Sequence, residues 1–461
     1  MKRLLSRAKT AACAGTLLML VFALLLGACG SESQTTTTET PEPDGTTTTE
    51  AAASMDGFQL AMSELTRLAP AASQADILSV ADSMNDFGID LYGYLATEAG
   101  QGNLVFSPSS IAIALAMTHV GAEGVTAEEI AATLHLALEG DAVHQAFNSL
   151  DTTLESRSWS QEFPDGRKEG VLVKTANSLW GQHDTVFEKL FLDTLAANYG
   201  AGMRLVDYKT AAEQARQAIN AWVAEETNDK ITDLIPQGTL DAMTRLVLVN
   251  AVYLDATWLS QFDPQRTTDG SFTTLSGKTV TTPMMTQTCS YRVADGNGWQ
   301  AVELPYVGSE LAMLLIVPDE GRFSEVEGRL AGGLVDEAAA ALTSDGEVHL
   351  TMPKFEFRTQ AGLNNALGAL GMTTAFDPST ADFSGMTKEE SLHISDVIHE
   401  AYIAVDEEGT EAAAATAIVM RDGGMPMEPL VLTIDRPFMF ALRDLETGAV
   451  LFMGRVTDPT A

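Results

Sequence analysis

From about Ser79 onward the apolar positions fall into two regimes. In the first half they recur three and four residues apart, the spacing of an amphipathic helix. Met84, Phe87, Ile89, Leu91, Tyr94 and Leu95 predict a helix over 81–97. Ser107-Pro108 opens an Ala- and Ile-rich run that predicts a buried helix over 109–121. Thr126, with Glu129 three residues on, predicts a capping box and a short helix over 126–134. Another amphipathic helix is predicted over 211–228, stopping at the Asn228-Asp229 turn. The second half reads differently. Runs of Leu, Val, Ala, Ile and Tyr predict strands over 244–254, 311–317, 348–352, 398–405, 431–434, 438–443 and 450–455. The first of these is apolar throughout, as in a strand buried on both faces. Helices first and strands later predict an α+β fold with large, mostly antiparallel sheets.

The residues before this body have other patterns. Lys2, Arg3, Arg7 and Lys9 precede an apolar run from Thr10 to Ala28, the layout of a secretory signal. The run ends in Leu26-Gly27-Ala28-Cys29, which resembles the lipobox of bacterial lipoproteins. Residues 1–28 are therefore expected to be a lipoprotein signal peptide and Cys29 the lipidated residue. An uncleaved anchor helix is the other reading. Both place the body outside the cytoplasmic membrane, held to it only through the N-terminus. Residues 29–54 hold the threonine runs Thr35 to Thr38 and Thr46 to Thr49, with Pro41 and Pro43 between them and almost no aliphatic side chain before Ala51. Such a stretch cannot bury enough apolar surface to order itself, so it reads as a flexible tether. Residues 55–78 carry no clear signal, and 79–461 read as one unit.

Charge narrows the partners. Among 461 residues, 63 Asp and Glu face 27 Lys and Arg, a formal net charge of −36. Phosphate binding needs a basic face, so DNA and RNA are excluded as partners. Attraction to anionic lipid headgroups is excluded on the same ground. The three cysteines, Cys13, Cys29 and Cys289, cannot build a disulfide framework or a Cys-based zinc site. Cys289 is expected to be a small half-buried apolar residue. No nucleotide loop, HExxH, CxxC or GxSxG motif occurs, and no His pair has metal-ligand spacing. No cofactor or metal is expected, and nothing supports an enzyme.

One segment stands apart. Residues 407–420 read Glu-Glu-Gly-Thr-Glu-Ala-Ala-Ala-Ala-Thr-Ala-Ile-Val-Met. Composition alone allows a surface Ala-rich helix. At period two, however, Thr410, Ala412, Ala414, Thr416, Ile418 and Met420 share a face with no charge, and the first four are small. Both charges, Glu411 and Arg421, fall on the other face, and Asp422 ends the compatible pattern. The segment is thus tolerable as an exposed loop and acceptable as a central strand.

Glu407 to Thr416 closely resembles the reactive-loop hinge of inhibitory serpins. The resemblance runs over nearly the whole body. Asn103 to Ile111, Ala176 to Trp180, Ile219 to Val223, Thr227 to Ile231, Leu246 to Ala251, Asp377 to Gly385, Asp435 to Phe438 and Leu451 to Val456 follow the family in order. It implies three β-sheets, eight to nine helices and an exposed reactive-centre loop over about 407–430. It also implies a monomer that is a suicide inhibitor of serine endopeptidases, and of cysteine endopeptidases by extension, forming a covalent complex with its target. A protease cuts the loop, is held as an acyl-enzyme, and is deformed as the hinge enters the main sheet. Serpin insertion is a standing example of such strand addition.

The magnitudes permit this. Six inward side chains give very roughly 5–10 kcal/mol. About ten ladder bonds at ~1 kcal/mol each add as much. A protease domain is stable by about 5–15 kcal/mol.

By resemblance the hinge is Glu407, Gly409, Thr410, Ala412, Ala414 and Thr416. Ser107, Ser110, Asn250 and His399 match the family's "shutter" beneath the sheet. Trp258, Lys354 and Glu407 match its "breach" at the top. Two departures matter. Asp255-Ala256-Thr257 lacks the Gly-Lys common just before this Trp, and the span from Gly409 to Pro437 is a few residues longer than in vertebrate members. Loop length puts the reactive bond at Gly423–Gly424, with cleavage after Met420, Arg421 or Met425 as alternatives. The rival reading is a non-inhibitory serpin acting as a surface binding module. Such members often carry bulky, charged or Pro hinge residues, which Thr410, Ala412, Ala414 and Thr416 are not.

Overall fold

A computed structural model describes residues 57–164, 168–344, 346–410 and 428–461. Among these residues there are nine α-helices and three sheets of eight, six and four strands. The largest sheet runs, edge to edge, Gln59–Ala61, Met203–Val206, Lys168–Gln182, Leu246–Thr257, Gly409–Thr410, Ile394–Val405 and Phe355–Gly362. Trp159–Glu162 pairs beside Lys168–Gln182. Most neighbours are antiparallel, but Leu246–Thr257 runs parallel to Ile394–Val405 and Lys168–Gln182 parallel to Met203–Val206.

The Leu246–Thr257 strand explains its own sequence. Leu246, Leu248, Val252, Leu254 and Ala256 face the main core. Val247, Val249 and Ala251 face a second apolar cluster with Trp180, Ile219, Trp222 and Val223. Trp180 belongs to the neighbouring strand Lys168–Gln182, and the other three ride the Tyr208–Glu226 helix across the sheet's outer face. An apolar run without alternation is what two buried faces demand. On the inner side lies the Pro108–His119 helix, buried from Pro108 to Thr118 and packed against Lys168–Gln182, Leu246–Thr257 and Val450–Val456. Its sequence has no polar stripe because it has no solvent face.

The predicted elements recur with shifted ends. The 81–97 helix is Gln74–Ala99, and the 398–405 strand starts at Ile394. The capping box does not form. Helix Gly124–Thr133 begins earlier, and its N-cap Glu123 makes no side-chain cap bond. The Thr126 hydroxyl instead accepts the Asp382 N–H at 2.9 Å, and the Glu129 carboxylate accepts from Thr373 and Thr374. Distant backbone donors compete successfully for the two side chains that a local cap would use. Cys289 is half-buried, with Sγ 3.2 Å from Ser260 Oγ.

Residues 57–73, silent in the sequence, strap the body. Phe58 packs edge-on to Trp180 at 4.9 Å, and Gln59–Ala61 extends the large sheet. Arg67 donates to Asn148 Oδ1 at 2.7 Å, Asp151 Oδ2 at 2.7 Å and Glu155 Oε1 at 2.9 Å. Burial and then Glu155 push the Asp151 carboxyl up to about 6, against the pull of Arg67. Arg67→Ala removes that counter-charge. A loss of about 1–3 kcal/mol at neutral pH is expected from urea titration, with partial recovery in Arg67→Lys.

Candidate functional site

The Leu246–Thr257 and Ile394–Val405 strands pair directly from Leu246/Ile394 up to Tyr253/Tyr402. Above that level they part, and the two-residue strand Gly409–Thr410 lies between them. Thr410 stands opposite both Ala256 and Val405, and Gly409 opposite Thr257. A tight turn returns the chain from Val405. The Asp406 N–H donates to Gly409 O at 2.9 Å, and the Asp406 carboxylate accepts the N–H of Glu408 at 2.9 Å. This is an Asx-type turn, local chemistry that Asp supplies readily. Gly409 is required by close approach, since a Cβ there would stand 2.0 Å from the Ala256 carbonyl oxygen. Thr410 is fully buried, its Oγ1 2.7 Å from the Tyr306 hydroxyl. Tyr306 in turn stacks on Trp258, with centroids 4.5 Å apart at 14°.

Three residues expected at the top of the sheet meet there. Lys354 Nζ donates to Glu407 Oε2 at 2.6 Å, and Thr267 Oγ1 donates to Oε1 at 2.7 Å. Burial acts to raise the Glu407 carboxyl, but the Lys354 and Thr267 bonds hold it below the ordinary range. Trp258 grips the same turn twice. Its Nε1–H donates to Asp406 O at 3.1 Å and its backbone N–H to Glu408 O at 2.8 Å. Lys354 is 36% exposed, so solvent screens the ion pair and its contribution is small.

Beneath the sheet Ser107, Ser110, Asn250 and His399 form one buried network. His399 Nε2 accepts the Ser107 N–H at 3.2 Å, so the ring proton sits on Nδ1 and is donated to Asn250 Oδ1. Asn250 Nδ2 then donates to Ser110 Oγ and Asn177 Oδ1, and Ser110 Oγ donates to Asn177 Oδ1 at 2.6 Å. The Asn250–His399 bond crosses the seam itself. Burial pushes the His399 imidazole down to about 3, outweighing the bond with Asn250. A neutral ring fits both bonds, because Nε2 must accept.

Asn177, Tyr306 and Asp406 belong to this site and carried no site signal in the sequence. Asn177 lies inside a stretch resembling the family, which was its one available clue. Ala412, Ala414, Thr416, Met420, Arg421, Gly423, Gly424, Met425 and Cys29 lie outside the described residues.

His399 dictates a pH response. An unfolded chain protonates this ring near 6.5 and the folded one near 3. Between those values the unfolded state binds more protons, so stability is full above pH 6.5 and falls as pH drops toward 3. Thermal midpoints of the intact protein should decline over that window, with a shallower slope in His399→Gln.

Comparison with known proteins agrees with this geometry. A family model described as Serpin (serine protease inhibitor) matches residues 82–459. An uncharacterized serpin-like protein of Thermococcus kodakarensis is 39% identical over 383 residues, covering 82% of this chain and 86% of its own length. Leukocyte elastase inhibitor A of Rattus norvegicus is 36% identical, covering 83% of this chain and 99% of its own. The native-state crystal structure of the thermophilic serpin tengpin superposes with a TM-score of 0.75 at 25% identity, covering 87% of this chain and all of that one. With a matching model that spans nearly the whole body, a fold of three sheets and a strand fork at the top of the largest, the chain belongs to the serpin family.

Proposed function

We propose that this serpin is a suicide inhibitor of serine endopeptidases, and of cysteine endopeptidases by the same chemistry, tethered outside the cell membrane through lipid on Cys29. One observation carries the reading. Gly409–Thr410 is paired on both sides at the top of a seam whose strands pair with each other below. The hinge is therefore a strand already begun.

Continuing its register down the seam makes the sequence intelligible. Ala412 would stand opposite Leu254 and Ile403, and Ala414 opposite Val252 and Ala401. Thr416 would arrive between Asn250 and His399. Small apolar residues suit the crowded inner face. A hydroxyl at Thr416 can donate to Asn250 Oδ1 and accept from His399 Nδ1–H, replacing the bond it separates.

The chemistry is the target's own. Its Ser or Cys nucleophile attacks the Gly423 carbonyl carbon, the Gly423–Gly424 C–N bond breaks, and the Gly424 amine leaves with a proton. The ester or thioester that remains links protease to hinge. Release of the loop lets the strand zip downward, and the attached protease is dragged before water can free it. Removing the loop's tension should also leave the cleaved protein more stable than the intact one.

Incubation with a panel of serine proteases should give a complex that survives denaturation, together with a short C-terminal loop fragment. Loop turnover with full recovery of protease activity would refute the inhibitor reading. Mass spectrometry of that fragment assigns the reactive bond among Gly423, Met420, Arg421 and Met425. In Ala414→Arg a charge would have to enter the seam between Val252 and Ala401, which is strongly unfavourable. The variant should behave as a substrate, with cleavage retained and complex formation lost.

A further inference from the structure

The shutter network crosses the seam on the sheet's inner face, and a second contact crosses it on the outer face. By strand alternation Tyr253 and Tyr402 point away from Asn250 and His399, toward the side covered by the Tyr208–Glu226 helix. They are directly opposed in the parallel register, with ring centroids 6.5 Å apart. Theirs is the last rung of that register before the fork. Lys230 Nζ lies 5.8 Å from the centre of each ring. One ammonium thus engages an aromatic ring on either strand of the seam.

Lys230 is held there by a stiff turn. Asn228 and Asp229 both take left-handed backbone angles, at φ 51° and 61°. The Lys230 N–H donates to Thr227 O at 3.0 Å, and the Ile231 N–H to Thr227 Oγ1 at 3.2 Å. Ile231 is fully buried in the outer apolar cluster. The lysine therefore projects from a fixed base that belongs to neither strand.

We propose that Lys230 is a positioning residue for loop insertion: a latch that holds Tyr253 and Tyr402 together and must let go of one before the seam can open. The inference rests on the insertion reading above. The reason is geometric. Admitting a strand moves its neighbours from one strand spacing to two, a further separation of about 4.8 Å. The two rings would then stand roughly 11 Å apart, and an ammonium at its present height would lie more than ~7 Å from each. Cation–π attraction is significant within about 6 Å, so the contact exists only in the closed state. An interaction present in one state alone sets the equilibrium and the opening rate between the two.

The probe is a fluorescent synthetic peptide copying residues 410–421, incubated with the intact full-length protein. Slow uptake is expected for the parent. Lys230 is half-buried, so Lys230→Met should take up the peptide about fivefold faster, as loss of one partly solvated cation–π contact of about 1 kcal/mol requires. Lys230→Arg, which keeps the cation, should stay within about twofold of the parent. Lys230→Met should also lower the melting midpoint of the intact protein and leave that of the loop-cleaved protein unchanged. Tyr402→Leu is a second variant that removes the same contact from the other side and should accelerate uptake likewise. An unaltered uptake rate in Lys230→Met and Tyr402→Leu, or equal destabilisation of the intact and cleaved forms, overturns the latch while leaving the inhibitor reading standing. A parent that never takes up the peptide, even after prolonged warming, defeats the insertion reading itself and the latch with it.

Discussion

The parallel ladder between Leu246–Thr257 and Ile394–Val405 is the constraint on which the rest of this structure depends. Up to Tyr253 and Tyr402 the two strands pair directly, and above them Gly409–Thr410 lies between. Under the proposed insertion, opening this pairing and admitting a strand would break one ladder and make two. At about 1 kcal/mol of net stabilisation per backbone bond, the exchange favours insertion before any side chain is counted. On that proposal the closed sheet is held by what joins the strands across the seam and by the covalent continuity of the chain beyond the hinge. Cleavage would then remove only the second of these.

The contacts at this seam suit a junction that, under the proposed function, has to part. A dry apolar contact between the two strands would have to be torn and left as a void. A neutral imidazole bonded to an amide can be divided by a hydroxyl that satisfies both halves, as Asn250 and His399 are placed to allow. Fully satisfied buried polar networks are specific in geometry and costly when half-made. That combination favours the single arrangement of the seam seen here. The Lys354–Glu407 pair at the top works on another scale. It is partly solvated, so it orients the turn at Asp406 to Gly409 more than it stabilises it.

The helices and sheets frame this junction in a way that the composition already implied. Pro108–His119 supplies Ser107 and Ser110 from a helix start, where the Ser107 side chain caps the Ser110 N–H and its own N–H is free to reach His399. Proline at the first helical turn releases that geometry at no loss of a backbone bond. The helix is apolar on every side because it lies between two sheets. The hydroxyls of Ser107 and Ser110 at its start are both hydrogen-bonded there.

Sequence alone was sufficient where the physics is local or repetitive. Period two from Thr410 to Met420 predicted a segment able to serve as loop or strand, of which the structure describes only the paired start at Thr410, and unbroken apolar runs marked strands with two buried faces. Family resemblance added the partners that spacing cannot reveal, since nothing local links Asn250 to His399 149 positions on, or Lys354 to Glu407 53 positions on. The tertiary structure decided the rest. Thr126 and Glu129 had the letters of a capping box, yet distant backbone donors took both side chains. Asn177, Tyr306 and Lys230 carry no pattern of their own, and acquire meaning only from lying within a few ångströms of a seam built by strands remote in the chain. Propensity and period are read along the chain, whereas a contact between two remote strands is defined across it.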